Sequence, residues 1–308
     1  MSTRRKDRKT EVFVIIVFAF LLILYAGCQK KKEIEFWDDF SPVWSPDGKY
    51  IVFNRVNILQ ANPAVLNGNP DNFSGLRILN IASMRVIDSL ISAFSVDWSP
   101  SGDEVLCTNG SMYNIKAHSV RTIFDTSQHY YAQDWSPNGA RILCVKKNLS
   151  PDSFMILMTD TLGTYSKILY NSGLTPSWHP AGERLIFIST INNEEYICVG
   201  DTNGNIIRVI DVKNGDLIPF GMRGPQFSPD GSKIAYYLYQ LKDGGFDDFN
   251  IHVCDSLGET DIELVDGVHP NWSPDGKKVV FARYSDEDSL FSLWMIDADG
   301  KNLRKITE

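Results

Sequence analysis

Histidine and cysteine are scarce in this chain, with five of each among 308 residues, and the motifs in which they usually act are absent. There is no His-Glu-x-x-His pair for zinc, no Gly-x-Ser-x-Gly turn for a hydrolase nucleophile, and no glycine-rich phosphate loop leading from a strand into a helix. Each absence excludes one familiar class of active site. The sequence therefore predicts no catalytic residues, no bound metal and no cofactor.

Helical periodicity is also missing, and a short turn recurs instead. Six times a bulky aromatic residue is followed by a Pro-x-Gly turn, at successive spacings of 54, 37, 43, 49 and 45 residues. The six copies are Trp44–Gly48, Trp98–Gly102, Trp135–Gly139, Trp178–Gly182, Phe227–Gly231 and Trp272–Gly276. Proline fixes φ and glycine accepts a positive φ, so each copy predicts a hairpin between two strands. The repeat length is typical of a four-stranded propeller blade.

Short apolar segments follow the turns and predict the second strand of each unit. These segments are Tyr50–Phe53, Glu104–Cys107, Arg141–Cys144, Arg184–Phe187, Lys233–Tyr236 and Lys278–Phe281. A second turn of the form Asp-x-x-Gly recurs later in four units, at Asp160–Gly163, Asp201–Gly204, Asp255–Gly258 and Asp297–Gly300. Unit six shows four strands, a to d, predicted at His269–Ser273, Lys278–Arg283, Leu290–Asp297 and Asn302–Thr307.

The predicted fold is all-β, a six-bladed β-propeller of four-stranded antiparallel blades over residues 40–308, preceded by an N-terminal signal segment. Every unit supplies its own four strands, so no strand is expected to be exchanged between the chain ends. Blades one and six would then meet through side-chain packing alone, with Ile34–Trp37 covering the seam.

The repeats resemble the TolB-type repeat of WD-like β-propellers, with the consensus Pro-x-Trp-Ser-Pro-Asp-Gly, an apolar strand, an Ile-Tyr-x-Met-Asp-like strand, Asp-Gly and a closing Leu-Thr. Unit six follows it at Pro270–Gly276, Leu293–Asp297 and Ile306–Thr307. Other units depart from it, with Val96 and Gln133 in place of proline and His179 in place of serine. The resemblance implies a scaffold for binding rather than a reaction.

Residues 1–27 differ from the rest of the chain. A basic start precedes the apolar run Val12–Ala26, which ends at Gly27 and Cys28. This order predicts a lipoprotein-type signal peptide over 1–27, lipidation of Cys28, and a tether over 28–39. An uncleaved membrane anchor and a simple secretory signal are the alternatives, although the 16 residues from Val12 to Gly27 fall short of the roughly 20 that a bilayer span needs.

The predicted location is outside the cytoplasm and tethered to a membrane, on the periplasmic or cell-surface side. Gln29 after the lipidated cysteine resembles the pattern that permits sorting to an outer membrane. Residues 28–308 carry 25 lysines and arginines against 36 acidic residues, a net charge of −11. Such an acidic body argues against a nucleic-acid partner.

Most of the chemically interesting residues have a structural interpretation. Four cysteines fall in predicted strands and are expected to be buried free thiols, and the repeat tryptophans are expected to fill the wedges between blades. The turn aspartates favour turn formation over calcium binding, because no glutamate closes the Asp297–Asn302 segment as a calcium loop would require. Three histidines at the channel mouth could bind a metal, as in the oligogalacturonate lyases with similar repeats, but the five histidines are scattered among the blades.

Loop length indicates a working surface. The longer predicted connections join strand b to strand c or strand d to the next strand a, at Asn54–Gly75, Gln240–Phe249, Ser285–Ser289 and Val212–Arg223. Because antiparallel strands alternate in direction, these connections share one end of the propeller, here called the long-loop face, and the short turns share the other, the tight-turn face. The predicted contact set on the long-loop face is Arg55, His129, Tyr130, His269, Arg283 and Tyr284.

The sequence thus favours a non-enzymatic envelope lipoprotein whose propeller binds an envelope protein or peptide through its long-loop face. The alternative is a periplasmic lyase or hydrolase that acts on glycans or cell-wall material at the channel mouth. Carboxylates and histidines clustered at that mouth would distinguish the enzyme from the binding module.

Overall fold

A computed structural model describes residues 37–57, 74–89, 95–124, 130–147, 154–192, 194–212, 216–217, 224–241, 247–285, 287 and 290–307. Within these ranges the strands form six antiparallel sheets, one for each blade. No helix in the described residues is long and apolar enough to cross a membrane. The predicted six-bladed architecture is therefore confirmed.

The first three blades each contain four strands in simple order. Blade 1 comprises β1 (Trp37–Trp44), β2 (Tyr50–Asn57), β3 (Ser74–Asn80) and β4 (Arg85–Ser89). Blade 2 comprises β5 (Ser95–Trp98), β6 (Glu104–Cys107), β7 (Ser111–Asn114) and β8 (Ser119–Thr122). Blade 3 comprises β9 (Tyr130–Trp135), β10 (Arg141–Lys147), β11 (Phe154–Asp160) and β12 (Ser166–Tyr170).

The last three blades follow the same plan, except that strand a of blade 5 is in two parts. Blade 4 comprises β13 (Leu174–Trp178), β14 (Arg184–Ile191), β15 (Glu194–Asp201) and β16 (Ile206–Ile210). Blade 5 comprises β17 (Asp216–Leu217), β18 (Gln226–Phe227), β19 (Lys233–Leu241), β20 (Asp247–Asp255) and β21 (Asp261–Asp266). Blade 6 comprises β22 (Val268–Trp272), β23 (Lys278–Ser285), β24 (Leu290–Asp297) and β25 (Arg304–Lys305).

All six b strands begin at the predicted residue, but several predicted loops are shorter than expected. Strand β2 stays paired with β3 as far as Val56 and Ser74, and β19 stays paired with β20 as far as Leu241 and Asp247. The prediction ended each strand where its apolar residues end, whereas backbone pairing continues through polar residues. Strand β17 likewise lies inside the predicted connection 212–223.

The two ends of the propeller also differ from the predicted boundaries. Strand β1 begins at Trp37 and pairs with β2, so Trp37–Asp39 belong to the first blade rather than to the predicted tether. Strand β25 contains only Arg304–Lys305, which is shorter than the predicted strand d of unit six. Asn302 has a φ of +55°, a left-handed conformation that interrupts strand geometry.

The recurring Ser-Pro-Asp-Gly turn is held together by its serine and aspartate. Ser45 Oγ donates to Asp47 Oδ1 at 2.7 Å and accepts the N–H of Tyr50 at 2.9 Å. Gly48 has a φ of +70°, and its N–H donates to the Ser45 carbonyl at 2.9 Å. In five of the six turns a serine hydroxyl bonds a short polar side chain two residues later, which is an aspartate, an asparagine or a serine, and the glycine closes the turn.

The six turns form a closed ring on the tight-turn face. In five of them the turn glycine lies against the proline of the preceding blade: Gly102 by Pro46, Gly139 by Pro100, Gly182 by Pro137, Gly276 by Pro229 and Gly48 by Pro274. The sixth glycine, Gly231, lies against the His179 ring of blade 4. His179 keeps the turn by accepting the Ala181 N–H at Nδ1, and burial lowers its pKa. The contact of Gly48 with Pro274 closes the ring between the first and last blades.

The hydrophobic core lies between the blades, and the repeat aromatics are at its centre. Each of the six aromatics is between 5% and 8% exposed. Trp98, Trp135, Trp178 and Phe227 each join the cluster between their own blade and the preceding one. Trp44 and Trp272 belong to one larger cluster that joins blades 5, 6 and 1. The predicted structural role of these aromatics is confirmed.

The described cysteines are buried thiols, as predicted. Cys107, Cys144, Cys198 and Cys254 are free and no more than 3% exposed. Burial raises the pKa of Cys107 and Cys254 to about 12. These thiols are therefore inert small apolar side chains.

Blades 1 and 6 meet without exchanging a strand, but the prediction that side-chain packing alone joins them is wrong. The Trp44 N–H donates to Asn271 Oδ1 at 2.9 Å, and Ser41 Oγ lies 3.3 Å from His269 Nδ1. The Phe40 and Phe291 rings also meet across this seam, with 5.0 Å between their centroids. Residues 34–36 of the predicted seam cover lie outside the described residues.

Candidate functional site

Those predicted contact residues that fall in the described ranges lie at strand ends on the long-loop face. Arg55 is near the end of β2, Arg283 and Tyr284 are near the end of β23, and His269 is near the start of β22. Tyr130 is the first residue of β9 and pairs with Lys146 through the backbone. Cys28 and His129 lie outside the described residues. Binding by any member of this set stays a prediction.

Arg55 serves mainly as one half of an internal ion pair. Its Nε and Nη2 donate to the two carboxylate oxygens of Asp39 at 2.7 and 2.8 Å. Asp39 is 1% exposed, and burial raises the pKa of its carboxyl group while Arg55 opposes that shift. Asp39 also interacts with Thr307 at the far end of the chain. The bidentate pair therefore joins two strands of blade 1, and the contact of Asp39 with Thr307 links this blade to blade 6.

His269 is half-buried at the same seam. It has a φ of +55°, and its ring meets the edge of the Tyr237 ring at 5.6 Å between centroids. Its Nδ1 lies 3.3 Å from Ser41 Oγ, and Ser41 has a similar φ of +49°. Both residues precede proline within strand a, where a bulge interrupts the pairing. The side chain of His269 therefore helps to join two blades.

Of the predicted contact residues near the end of β23, Tyr284 is exposed and Arg283 is partly exposed. The Arg283 guanidinium lies 4.9 Å from the centre of the Trp294 ring, and its Nε donates to Asp266 Oδ2 at 2.7 Å. Tyr284 is 45% exposed, and its ring lies 5.3 Å from that of Phe291. We call Phe40, Arg283, Tyr284 and Phe291 the rim cluster.

Sequence reasoning missed two members of the rim cluster, Phe40 and Phe291. Phe291 lies opposite Tyr284 in the pairing of β23 with β24, so the two rings share one face of the blade. Phe40 reaches the pair from the neighbouring blade. The predicted b and c strands of unit six could have been aligned to place Phe291 opposite Tyr284. The contact of Phe291 with Phe40 could not have been predicted in this way, because it depends on how the first and last blades meet.

The first strands of the blades form a ring around the central channel. Consecutive a strands contact one another from β1 through β5, β9 and β13 to β18, and β22 contacts β1. The gap from β18 to β22 is bridged by Asn271 Nδ2, which donates to Gln226 Oε1 at 3.0 Å. The residue before each repeat aromatic occupies an equivalent position in this ring: Val43, Asp97, Asp134, Ser177, Gln226 and Asn271.

Three of these ring positions support the backbone of the next blade. Asp97 accepts the Trp135 N–H at 2.8 Å, Asp134 accepts the Trp178 N–H at 2.5 Å, and Asn271 accepts the Trp44 N–H. A short polar side chain at this position therefore holds the following tryptophan in place. Two of the three are carboxylates, which gives this ring negative charge.

A small cavity opens on the channel wall between blades 3 and 5. It is partly open and has a volume of about 10 Å³, and its polar lining is formed by Gln133, Asp134, Thr175, Ser177 and Gln226. Thr175 is 5% exposed, and its Oγ1 is buried without a hydrogen-bond partner. Gln133, which departs from the proline of the repeat consensus, lines this cavity. No pattern in the sequence groups these residues, since they come from three different blades.

A second polar group lies away from the channel in blade 5, where the partly exposed Asp261 meets two buried rings. Asp261 accepts a hydrogen bond from Tyr236 Oη at 2.7 Å and lies 3.0 Å from His252 Nδ1. The Tyr236 and His252 rings stack with 5.6 Å between their centroids. His252 is 2% exposed, so this group is part of the core rather than of a cleft.

The turn aspartates bind their own backbone, as turn formation predicts. Asp255 Oδ1 accepts the Leu257 N–H at 2.8 Å, and its Oδ2 accepts the Thr260 N–H at 2.6 Å. Asp201 makes equivalent bonds to the N–H groups of Asn203 and Asn205. The described residues contain no cluster of three or more histidine, cysteine, aspartate or glutamate side chains arranged for a metal.

The ring of blades, the polar channel and the aromatic rim define the class of this protein as a six-bladed β-propeller. No protein-family profile and no curated protein matches its sequence. TolB from Acinetobacter baumannii is structurally similar, with 16% identity, a TM-score of 0.60, and coverage of 82% of this chain and 74% of TolB. The propeller is therefore TolB-like in fold.

Other solved propellers share the architecture. A structure from the nidogen/laminin complex has 12% identity and a TM-score of 0.57, over 76% of this chain and 90% of its own. An oligogalacturonate lyase in complex with manganese has 12% identity and a TM-score of 0.54, over 88% of this chain and 78% of its own. Sequence identities this low show that the fold is shared, and they say nothing about whether an activity is shared.

Proposed function

We propose that this chain is a non-enzymatic interaction module of the cell envelope that binds a protein or peptide at the rim cluster. The observation that carries the proposal is an exposed aromatic surface at one end of blade 6, with a fixed guanidinium on the opposite face of the same strand. Tyr284 is 45% exposed and continues through Phe291 to Phe40, while Arg283 lies over Trp294 at the same end of blade 6. Tyrosine and arginine supply most of the binding energy at many protein interfaces.

The rim cluster is also held in place before any partner arrives. Arg283 is fixed by its ion pair with Asp266 and by the Trp294 ring, and Tyr284 is fixed by Phe291. Side chains that are already ordered lose less conformational entropy on binding. The surrounding strands make a rigid scaffold for this surface, as in other proteins that bind through loops and strand ends.

Alanine substitution in the rim cluster tests the proposal. Tyr284→Ala is expected to weaken capture of the envelope partner at least tenfold. This corresponds to a loss of about 1.4 kcal/mol or more of binding free energy, which is typical when an anchor residue of an interface is truncated. Tyr165→Ala is the matched control, because Tyr165 is 44% exposed and lies next to a c–d turn on the tight-turn face. Equal loss of capture in the two variants would contradict the proposal.

Export and lipidation complete the proposed role. A signal peptide over residues 1–27, a lipid on Cys28 and a tether that ends before Trp37 would hold the propeller at the outer surface of a membrane. The envelope partner would then meet the rim cluster by diffusion in two dimensions. Support for this part comes from the basic and apolar order of the N-terminal sequence.

The enzymatic alternative has a parallel only in fold, through the oligogalacturonate lyase. It is tested directly by incubating the purified protein with pectic and peptidoglycan fragments, with His269→Ala as the comparison. Our proposal expects no turnover by either protein. Turnover that His269→Ala abolishes would establish the enzyme instead.

A further inference from the structure

The cavity on the channel wall contains a buried hydroxyl without a partner. Thr175 is a β-branched residue with a φ of +48°, and its Oγ1 lines the cavity without a hydrogen bond. A buried polar group without a partner lowers the stability of a fold. Such a group at the wall of a cavity points to a ligand that satisfies it.

The residue before the proline of strand a has a hydrogen-bond partner in another pair of blades, and Thr175 lacks such a partner. His269 of blade 6 faces Ser41 of blade 1, and these two pre-proline side chains lie within hydrogen-bond distance. Thr175 of blade 4 faces Gly224 of blade 5, the corresponding residue of the next blade. A Cβ atom on Gly224 would lie 2.1 Å from Thr175 Oγ1, so Gly224 packs against the hydroxyl and offers it no side-chain partner.

The lining of the cavity favours a cationic group. It presents the Asp134 carboxylate and the polar side chains of Thr175, Ser177 and Gln226, and none of its lining residues is a lysine, arginine or histidine. Asp134 accepts the Trp178 N–H. The cavity has a volume of about 10 Å³, enough for one group of the size of a water molecule, and an ammonium nitrogen with its hydrogens is of that size.

We propose that this cavity, here called the Thr175 cavity, binds a primary ammonium group. An ammonium group has three N–H donors, which match the carboxylate of Asp134 and the oxygens of Thr175 and its neighbours. Its source is either a small free amine or the lysine side chain or amino terminus of a bound peptide. If the ammonium group belongs to a bound peptide, the inference rests on the proposed function and specifies the partner further. Binding of an ammonium group as such does not depend on the proposed function.

Binding of methylammonium to the full-length chain in detergent tests the inference. Titration calorimetry and the thermal midpoint are measured at constant ionic strength, with tetramethylammonium and potassium as comparisons. Methylammonium is expected to bind and to raise the midpoint, while tetramethylammonium, which has no N–H donor, does neither. An equal response to potassium or to tetramethylammonium would overturn the proposal.

Thr175→Val removes the hydroxyl and keeps the shape of the side chain. We expect this variant to bind methylammonium at least fivefold more weakly, with an unliganded thermal midpoint equal to or above that of the parent protein. Ser41→Ala, at the occupied counterpart position, is expected to keep full methylammonium binding. Unchanged binding by Thr175→Val would overturn the proposal, and Asp134→Asn gives a second test because it removes the charge and keeps an acceptor oxygen.

Two short peptides distinguish the sources of the ammonium group. One contains lysine with its amino terminus acetylated, and the other contains norleucine at the same position with a free amino terminus. Binding of one peptide, lost in Thr175→Val, identifies the side chain or the terminus as the source, and binding of methylammonium alone identifies a free amine. Tyr284→Ala is expected to leave methylammonium binding unchanged. A negative result for partner binding at the rim cluster can therefore be distinguished from a negative result for ammonium binding in the Thr175 cavity.

Discussion

At the scale of single residues, the repeat tryptophans are all buried but differ in whether the indole N–H makes a hydrogen bond. Trp98 Nε1 donates to the Val43 carbonyl of the neighbouring blade at 3.1 Å. Trp272 Nε1 is buried without a hydrogen-bond partner in the described structure. Phe227 occupies the equivalent place in blade 5, so the position requires a large ring but no indole N–H. The ring contributes through packing, and the hydrogen bond adds to it only in some blades.

Two substitutions separate these contributions. Trp98→Phe is expected to reduce the free energy of unfolding by about 1 kcal/mol more than Trp272→Phe, because only the first loses a buried hydrogen bond. Trp272→Ala is expected to cost about 3–5 kcal/mol, since it leaves a cavity between two blades. Urea denaturation measures all three values. Equal costs for the two phenylalanine variants would show that the indole bond does not contribute.

At the scale of elements, local chemistry was predictable and the extent of pairing was not. The Ser-Pro-Asp-Gly turns and the first residue of every b strand follow from side-chain bonds within a few residues, such as those of Ser45 and Asp47. The ends of β2 and β19 depend on backbone pairing through polar residues, which periodicity does not record. The Thr175 cavity combines three blades and therefore had no local signal.

The turn aspartates make the fold sensitive to acid. Hydrogen bonds from Ser228 and Thr260 lower the pKa values of Asp230 and Asp255 from 3.8 to about 2. A carboxylate with a lowered pKa stabilises the fold fully above its unfolded pKa, and this contribution is lost as the pH falls from about 4 to about 2. Both groups are exposed, so each contribution is small.

Denaturation at several pH values checks this dependence. The parent protein is expected to lose stability between about pH 4 and pH 2, and Asp230→Asn is expected to lose less over the same interval because it has one fewer group to protonate. Parallel curves for the two proteins would contradict the assignment of this acid sensitivity to the turn.

At the scale of the whole molecule, the closed ring and the N-terminal sequence carry separate conclusions. The ring closes through the contact of Asp39 with Thr307, the hydrogen bond of Asn271 with Trp44 and the turn contact of Gly48 with Pro274. This closure joins residues more than 200 positions apart, so the repeat pattern predicted its existence but not its contacts. The sequence before residue 37 carries the proposal of a lipid anchor.

Mass spectrometry of the native N-terminus tests that anchor. The mature chain is expected to begin at a lipid-modified Cys28, and Cys28→Ser is expected to leave the membrane fraction. The described cysteines do not complicate the result, because all four are buried. An intact Met1 in the membrane fraction would instead establish an uncleaved anchor.

Site-specific photo-cross-linking in intact cells tests the central claim most directly. A photoreactive residue replaces Tyr284 in the rim cluster or, as the matched control, Tyr165 beside a c–d turn, two tyrosines of nearly equal exposure on opposite faces. The account predicts a discrete cross-linked envelope protein or peptide from position 284 and none from position 165. The same product from both positions, or a product from position 165 alone, would contradict it.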